Sequence, residues 1–396
     1  MAGAARRAAQ ADCQRREEMI LRVIRNNLLP DDAAMAGHVT EASVAASALP
    51  RRRLLALFGT AAAAAVLPPG PAAAAPLVEK SAAVAPGLYQ LVVSSTTGLV
   101  HVASAGTRGT AHARIIGLDP RTLEARSSIG LGENTAFGLG LNDRRGLLLG
   151  TDTRKGALLV IDARSGTLRA QVAEGERAHL REVVVDEAGD RAFVSVFGGR
   201  GRPSAIWVVD TAADAMSAVI SEGLDGGIMG LAHDAAGDRL FATALQSNEV
   251  VEVSLARKAG IRRFATGGEG SINIAFDPAS GRLFCANQRS GTLTVLNAAS
   301  GELVKSLETG AGALGVTLSP DGALAYVANR GAGTVSVVDT RALSVVANLP
   351  TGTHPNTVAV DRRTGLAYVT NKARMAPRGQ PPVEDPNGDT VSIIRA

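Results

Sequence analysis

The sequence predicts an all-β protein, a seven-bladed β-propeller of four-stranded blades, and three observations carry that prediction. First, a short apolar strand ending in Asp or a close polar substitute recurs at spacings of 42 to 48 residues, ending at Asp119, Asp162, Asp210, Ser254, Asn297 and Asp339. Second, a seventh copy at 391–395 closes the chain. Third, the chain stops before that period's last strand, while an unassigned stretch at 77–84 directly precedes the first period. Self-similarity at a fixed period marks a repeat architecture in which one supersecondary unit cannot bury its own faces.

Each period resolves into four strands, here A to D. In the last period, 356–361 alternates apolar and polar residues and ends in the turn Arg362-Arg-Thr-Gly365, and 366–371 follows as strand B. The preceding period supplies a fourth strand at 344–349. Period-two alternation rich in β-branched residues, bounded by Gly, Pro and Asp, is the signal for strands and turns. Strand A starts near Tyr89, Phe137, Glu182, Met229, Ile272, Gly315 and Thr357. Strand B starts near Leu99, Leu147, Ala192, Leu240, Leu283, Ala325 and Leu366. Only six D strands follow C strands, so 77–84 is expected to pair with the last blade and close the ring, which removes the seam. The span 77–396 holds 320 residues, about 46 per blade. That is enough to bury a core without metal or disulfide staples.

The first 75 residues stand outside the repeat. Arg51-Arg-Arg53 leads an Ala-rich apolar run, then prolines and a small-residue stretch, which reads as a bacterial secretory signal over 51–74 with cleavage after Ala74. The arginine pair followed by leucines resembles a twin-arginine export signal, with an ordinary secretory signal as the alternative. The run is short for a membrane span, so no span is expected in the mature chain, which is placed in the periplasm or outside the cell. Residues 1–50 read as a leader or upstream extension, with Met35 an alternative start to Met1.

Of the 41 basic and 37 acidic residues, 9 and 6 lie in 1–75, leaving 32 against 31. The pI near 9.4 is therefore mostly a leader effect and does not argue for nucleic acid. Cys285 is the one cysteine outside the leader and lies on a B strand, so a buried thiol is expected. Aromatics are 3% of the chain, which leaves aliphatic side chains to fill the core.

The stretches Leu366-Ala-Tyr-Val-Thr-Asn371 and Leu324-Ala-Tyr-Val-Ala-Asn329, each followed by an apolar strand of the Val-Ser-Val-Val-Asp type, resemble YVTN β-propeller repeats. With Ala205-Ile-Trp-Val-Val-Asp210, Thr353-His-Pro-Asn356 and a long last-blade loop, 77–396 is similar to the YncE-like group of exported seven-bladed propellers. That resemblance implies a periplasmic, non-catalytic protein, although propellers host both enzymes and binding modules. Blade 4 departs by ending Val253-Ser254, and blade 2 by carrying Gly150-Thr-Asp where Tyr-Val-Thr-Asn would lie.

In a propeller the D–A connections and B–C loops open on one face around the central channel. His179 and His354 both fall seven residues before the Asp that ends strand A, so they are expected at equivalent mouth positions, with Arg181 and Asn356 two residues on. The B–C loops add Arg108, Arg154, Lys155, Arg200, Arg202, Arg289, Arg330, Lys372 and Arg374. A ring of cations over a concave mouth concentrates an anionic ligand; a merely solvated rim is the alternative reading.

Enzyme signatures are thin. The sequence has no Cys-x-x-Cys-His, His-Glu-x-x-His, Gly-x-Ser-x-Gly or phosphate-loop motif. No metal site, catalytic residue or cofactor is assigned. The leading reading is an exported binding or scaffold protein that engages an anionic small molecule, polymer or partner protein through the mouth. The alternatives are a lactonase-like or quinoprotein-like propeller enzyme, and a single-stranded nucleic-acid or polyanion binder. Few aromatics weigh against the last, since base stacking supplies much of such affinity.

Overall fold

The computed structural model describes residues 75–107, 112–175, 178–199, 201–376 and 383–396. The expected leader at 1–50, the signal at 51–74, and Arg108 and Arg200 lie outside the described residues. Seven four-stranded antiparallel sheets form the blades of a propeller. Six follow sequence order, with strand A (Leu88–Val93 in blade 1, Leu180–Asp186 in blade 3, Ser271–Asp277 in blade 5) at one edge and strand D at the other. The seventh runs Leu77–Ala83, Thr390–Arg395, Ala367–Asn371, Pro355–Val360. Its N-terminal strand pairs with the C-terminal one from Leu77 opposite Arg395 to Ala83 opposite Thr390, so the expected closure is present. No helix among the described residues is long and apolar enough to cross a membrane.

Hydrophobic patterning explains which strand goes where. B and C strands are buried along their length, as in Leu147–Asp152 and Ala157–Asp162, because a blade is covered on both faces. Outer D strands alternate, as in Ser344–Pro350, since one face meets solvent. Seven apolar clusters fill the structure, and each lies between two neighbouring blades. The residue three before the end of strand B carries a large core side chain in five blades: Phe193, Phe241, Phe284, Tyr326 and Tyr368 are all essentially fully buried. Trp207 joins the core between blades 2 and 3, and Cys285 that between blades 4 and 5.

The asparagine ending strand B has a mechanical role. The Asn371 side-chain amide donates to Thr390 Oγ1 (3.1 Å) and Ser392 Oγ (2.9 Å), tying strand B to strand C across their loop. Asn329 does the same with Thr334 (3.2 Å) and Ser336 (2.8 Å), and Asn287 with Thr294 (3.0 Å). In blade 2 Asp152 fills this slot and accepts instead, from the backbone N–H groups of Arg154 (3.0 Å), Lys155 (3.1 Å) and Thr135 (3.0 Å). The repeat motif is thus explained by loop closure.

A belt of residues four before the polar residue that closes strand A (Ser94, Asn142, Asp186, Asp234, Asp277, Ser319 and Asp361) joins the blades around the channel: Gln90, Gly138, Glu182, Gly230, Asn273, Gly315 and Thr357. Long polar side chains alternate with glycine. Gln90 Oε1 accepts Leu139 N–H (3.0 Å), Glu182 Oε2 accepts Leu231 N–H (3.1 Å), and Asn273 Oδ1 accepts Val316 N–H (3.0 Å). Each reaches the residue just after the next blade's glycine, and the glycines let the backbones approach. A Cβ at Gly230 would lie 2.6 Å from Asn273 Cα and 2.8 Å from Ile272 O. Gly230→Ala is therefore expected to cost about 1–3 kcal/mol as overpacking. Gly130→Ala, whose Cβ would meet nothing within 4 Å, should be neutral. Urea unfolding of both variants checks this, and equal stabilities would remove the belt as a packing constraint.

Candidate functional site

The D–A connections and the ends of the B strands meet at the channel mouth through one repeated hydrogen bond. The residue after strand B donates its N–H to the D–A carbonyl: Phe197 to His179 (3.0 Å), Leu245 to Gly227 (3.0 Å), Arg330 to Gly312 (2.8 Å) and Lys372 to His354 (3.1 Å). His179 and His354 thus occupy equivalent positions, as the register indicated. Blades 1, 4, 5 and 6 place Gly87, Gly227, Gly270 and Gly312 there with φ of 72°, 75°, 68° and 74°, and His354 adopts φ 44° in the same slot. A left-handed non-glycine residue is strained, and such strain clusters at binding sites. His354 Nδ1 is also buried without a hydrogen-bond partner. Burial and the cations Arg330 and Arg374 lower its pKa, with Asp385 opposing.

The bonding that places Arg330 and Lys372 immediately after the strand-B asparagine also aims them inward. Arg330 Nη1 donates to Asn356 Oδ1 at 2.9 Å. Lys372 is buried, with Nζ 3.3 Å from the centre of the Tyr89 ring, a cation–π contact. Arg181, from strand A of blade 3, lies with its guanidinium carbon 5.6 Å from the centre of the Phe197 ring, and its Nε is buried without a partner. The Tyr89 ring meets Phe137 edge-on at 4.6 Å, and its hydroxyl lies close enough to Arg181 and Arg330 that the ionised phenol would raise their pKa. Beside this group a cleft of about 410 Å³ between blades 6 and 7 is lined by Arg330, Thr351, His354, Arg374 and Asn387.

What sets these three cations apart is burial without a counter-charge. At the opposite, A–B turn end of the blades Arg191 pairs with Asp186 (2.8 Å) and Arg239 with Asp234 (2.8 Å), while on neighbouring strands Arg262 pairs with Glu252 (2.8 Å). Among the described residues Arg181, Arg330 and Lys372 have no carboxylate within ion-pair distance. Burial, followed by the charge of Arg330, pulls the Lys372 ammonium down to about 7, with Asp389 opposing. Burial likewise lowers the pKa of Arg181 and Arg330. A concentrated positive charge that the fold itself leaves unneutralised favours a bound anion.

The remaining expected residues are dispersed. Arg154 is exposed, 5.5 Å from the Phe137 ring centre and 3.5 Å from Thr135 Oγ1. Arg202 is exposed and reaches the Glu174 carbonyl (3.4 Å), and Arg289 is exposed beside Gly270. Register alone did not single out Tyr89, Phe137, Phe197 or Glu182. Their common signal is position, either near the start of strand A or one residue past strand B. No group of three or more His, Cys, Asp or Glu that could hold a metal occurs among the described residues. A scan against protein-family models finds no match to this chain, and no curated protein matches it. Its class therefore rests on architecture, that of a seven-bladed repeat β-propeller.

Below the mouth, Glu182 crosses blade 4 to reach blade 5, where Asn273 Nδ2 donates to both its carboxylate oxygens (3.1 and 2.9 Å). Burial outweighs these bonds and that from Leu231, raising its pKa from 4.5 to about 7. The unfolded chain releases this proton near 4.5 and the folded one near 7, so the fold binds more protons in between and loses stability as pH rises across that window. Glu182→Gln should abolish the loss, gaining on the order of 3 kcal/mol over wild type at pH 8 and little at pH 4.5. Denaturant unfolding at the two pH values reads the difference, and a pH-independent gap would contradict it.

Proposed function

We propose that this chain is an exported propeller of the YVTN, YncE-like kind that binds an anionic ligand at its channel mouth without chemical conversion. The observation that carries the reading is Lys372 buried over the Tyr89 ring near buried Arg330 and Arg181, none of the three with an acidic partner among the described residues. Arg330, held by Asn356, presents a fixed guanidinium, and Lys372 supplies a point charge. Strained His354 lines the same cleft as Arg330. The Tyr-Val-Thr-Asn stretches support the family, and the signal-like segment at 51–74 supports export to the periplasm.

Sulfate, ionised throughout the neutral range, is a suitable probe. Arg330→Gln should weaken it by at least tenfold in calorimetric titration, consistent with a charge-assisted hydrogen bond. Wild-type affinity should fall as pH rises past about 7, because binding must then return a proton to Lys372. The limiting slope is about tenfold per pH unit. Lys372→Met should remove that slope. Affinity indifferent to both variants and to pH would overturn the assignment.

A further inference from the structure

We infer that the ligand is an amphipathic anion, a carboxylate carrying an aliphatic chain, seated across a mouth that is cationic on one side and apolar on the other. This inference rests on the anion reading above. Arg181, Arg330, Lys372 and the apolar side chains around them occupy two repeated slots, the residue just before the belt position of strand A and the residue after strand B. Around the ring the strand-A slot reads Tyr89, Phe137, Arg181, Met229, Ile272, Leu314 and Asn356. The strand-B slot of the preceding blade reads, in the same order from the last blade onward, Lys372, Ala105, Thr153, Phe197, Leu245, Gln288 and Arg330. The aliphatic side chains and the cations are segregated, with the aromatic rings of Tyr89 and Phe137 on the cationic side. Three consecutive blade junctions, 3/4, 4/5 and 5/6, present Phe197, Met229, Leu245, Ile272 and Leu314. Arg330 flanks this arc at one end and Arg181 at the other, with Lys372 beyond Arg330.

These apolar residues belong to none of the seven inter-blade cores. Phe197, Leu245, Ile272 and Leu314 are only half-buried. The backbone shows why. Pairing of strands A and B slips at this level in six blades, for instance between Ser271 and Asn273, Ala313 and Gly315, and Pro355 and Thr357. The unpaired residue is Ile272, Leu314 or Asn356, and a bulge at this point re-aims its side chain out of the sheet. A purely solvated rim has no use for Phe197, Leu245, Ile272 and Leu314 left half-buried outside the cores in repeated slots. A ligand with both a charged head and an apolar body accounts for the apolar arc and the unpaired cations together.

Calorimetric titration with acetate, butanoate, hexanoate and octanoate tests this, with 1-octanol as the uncharged control. Affinity should climb about threefold to fourfold per methylene along the series, the value for burying a CH₂, and 1-octanol should bind at least tenfold more weakly than octanoate. Ile272→Asn and Leu314→Asn place at those slots the residue that blade 7 already carries at Asn356, so the fold accommodates them. Together they should flatten the series while leaving acetate affinity within about twofold. Arg330→Gln should weaken every carboxylate and spare 1-octanol. Acetate and octanoate binding equally would overturn the amphipathic inference and leave the anion reading standing. Failure of sulfate and of every carboxylate to bind would overturn both, and 1-octanol matching octanoate would remove the role of the cations.

Discussion

The ring depends on seven inner strands approaching closely enough to close without a seam. Ordinary side chains at the waist would hold the strands apart, and glycine alone would leave backbone N–H groups unpaired inside the channel. Alternating Gly138, Gly230 and Gly315 with Gln90, Glu182 and Asn273 meets both demands, because each polar side chain spans the gap its neighbour's glycine leaves. Seven is odd, so the alternation cannot be completed. At the break the belt uses Thr357, whose hydroxyl donates to the Tyr89 carbonyl (3.2 Å). The same break sets Tyr89 beside Lys372 and brings the first and last blades together at the mouth.

That geometry also separates two electrostatic regimes. On the turn end of the blades Arg191, Arg239 and Arg363 are neutralised by Asp186, Asp234 and Asp361 and contribute to the rim's local structure. At the mouth the inward bulge of strand A and the asparagine-fixed end of strand B carry Arg181, Arg330 and Lys372 into a poorly hydrated space, where a charge is costly unless a partner arrives. The chain outside the leader is nearly neutral, so this is a local field produced by placement. Glu182 lies one residue along from Arg181, yet its carboxylate is engaged with blades 4 and 5 and makes no ion pair with that arginine.

Much of the fold was legible in the sequence, because the information is repeated. The polar residue ending each C strand, the A–B turns and the asparagines of strand B each recur in register, so one ambiguous copy is corrected by the others. Blade 2 shows how: Gly150-Thr-Asp looks degenerate as a string, and Asp152 still closes the same loop through backbone donors. The site was legible only in part. Register placed His179 and His354 in equivalent slots and named all three converging cations, and it named Arg154, Arg202 and Arg289 alongside them with equal weight. Depth separates the two sets, and depth follows from being one residue past the strand or two, a difference a loop assignment does not resolve. The bulge that turns Ile272 and Leu314 outward leaves no mark on their apolar identity.

The most direct measurement is the titration of the Lys372 side-chain amine, followed by ¹³C NMR on lysine-labelled protein with and without a carboxylate ligand. An amine held without a carboxylate partner beside Arg330 should titrate near 7 in the empty protein and shift upward by a unit or more, on the order of 1.4 kcal/mol per unit, when the anion binds. An amine that titrates near 10 in both states would show the mouth to be an ordinary solvated rim, and would contradict the account.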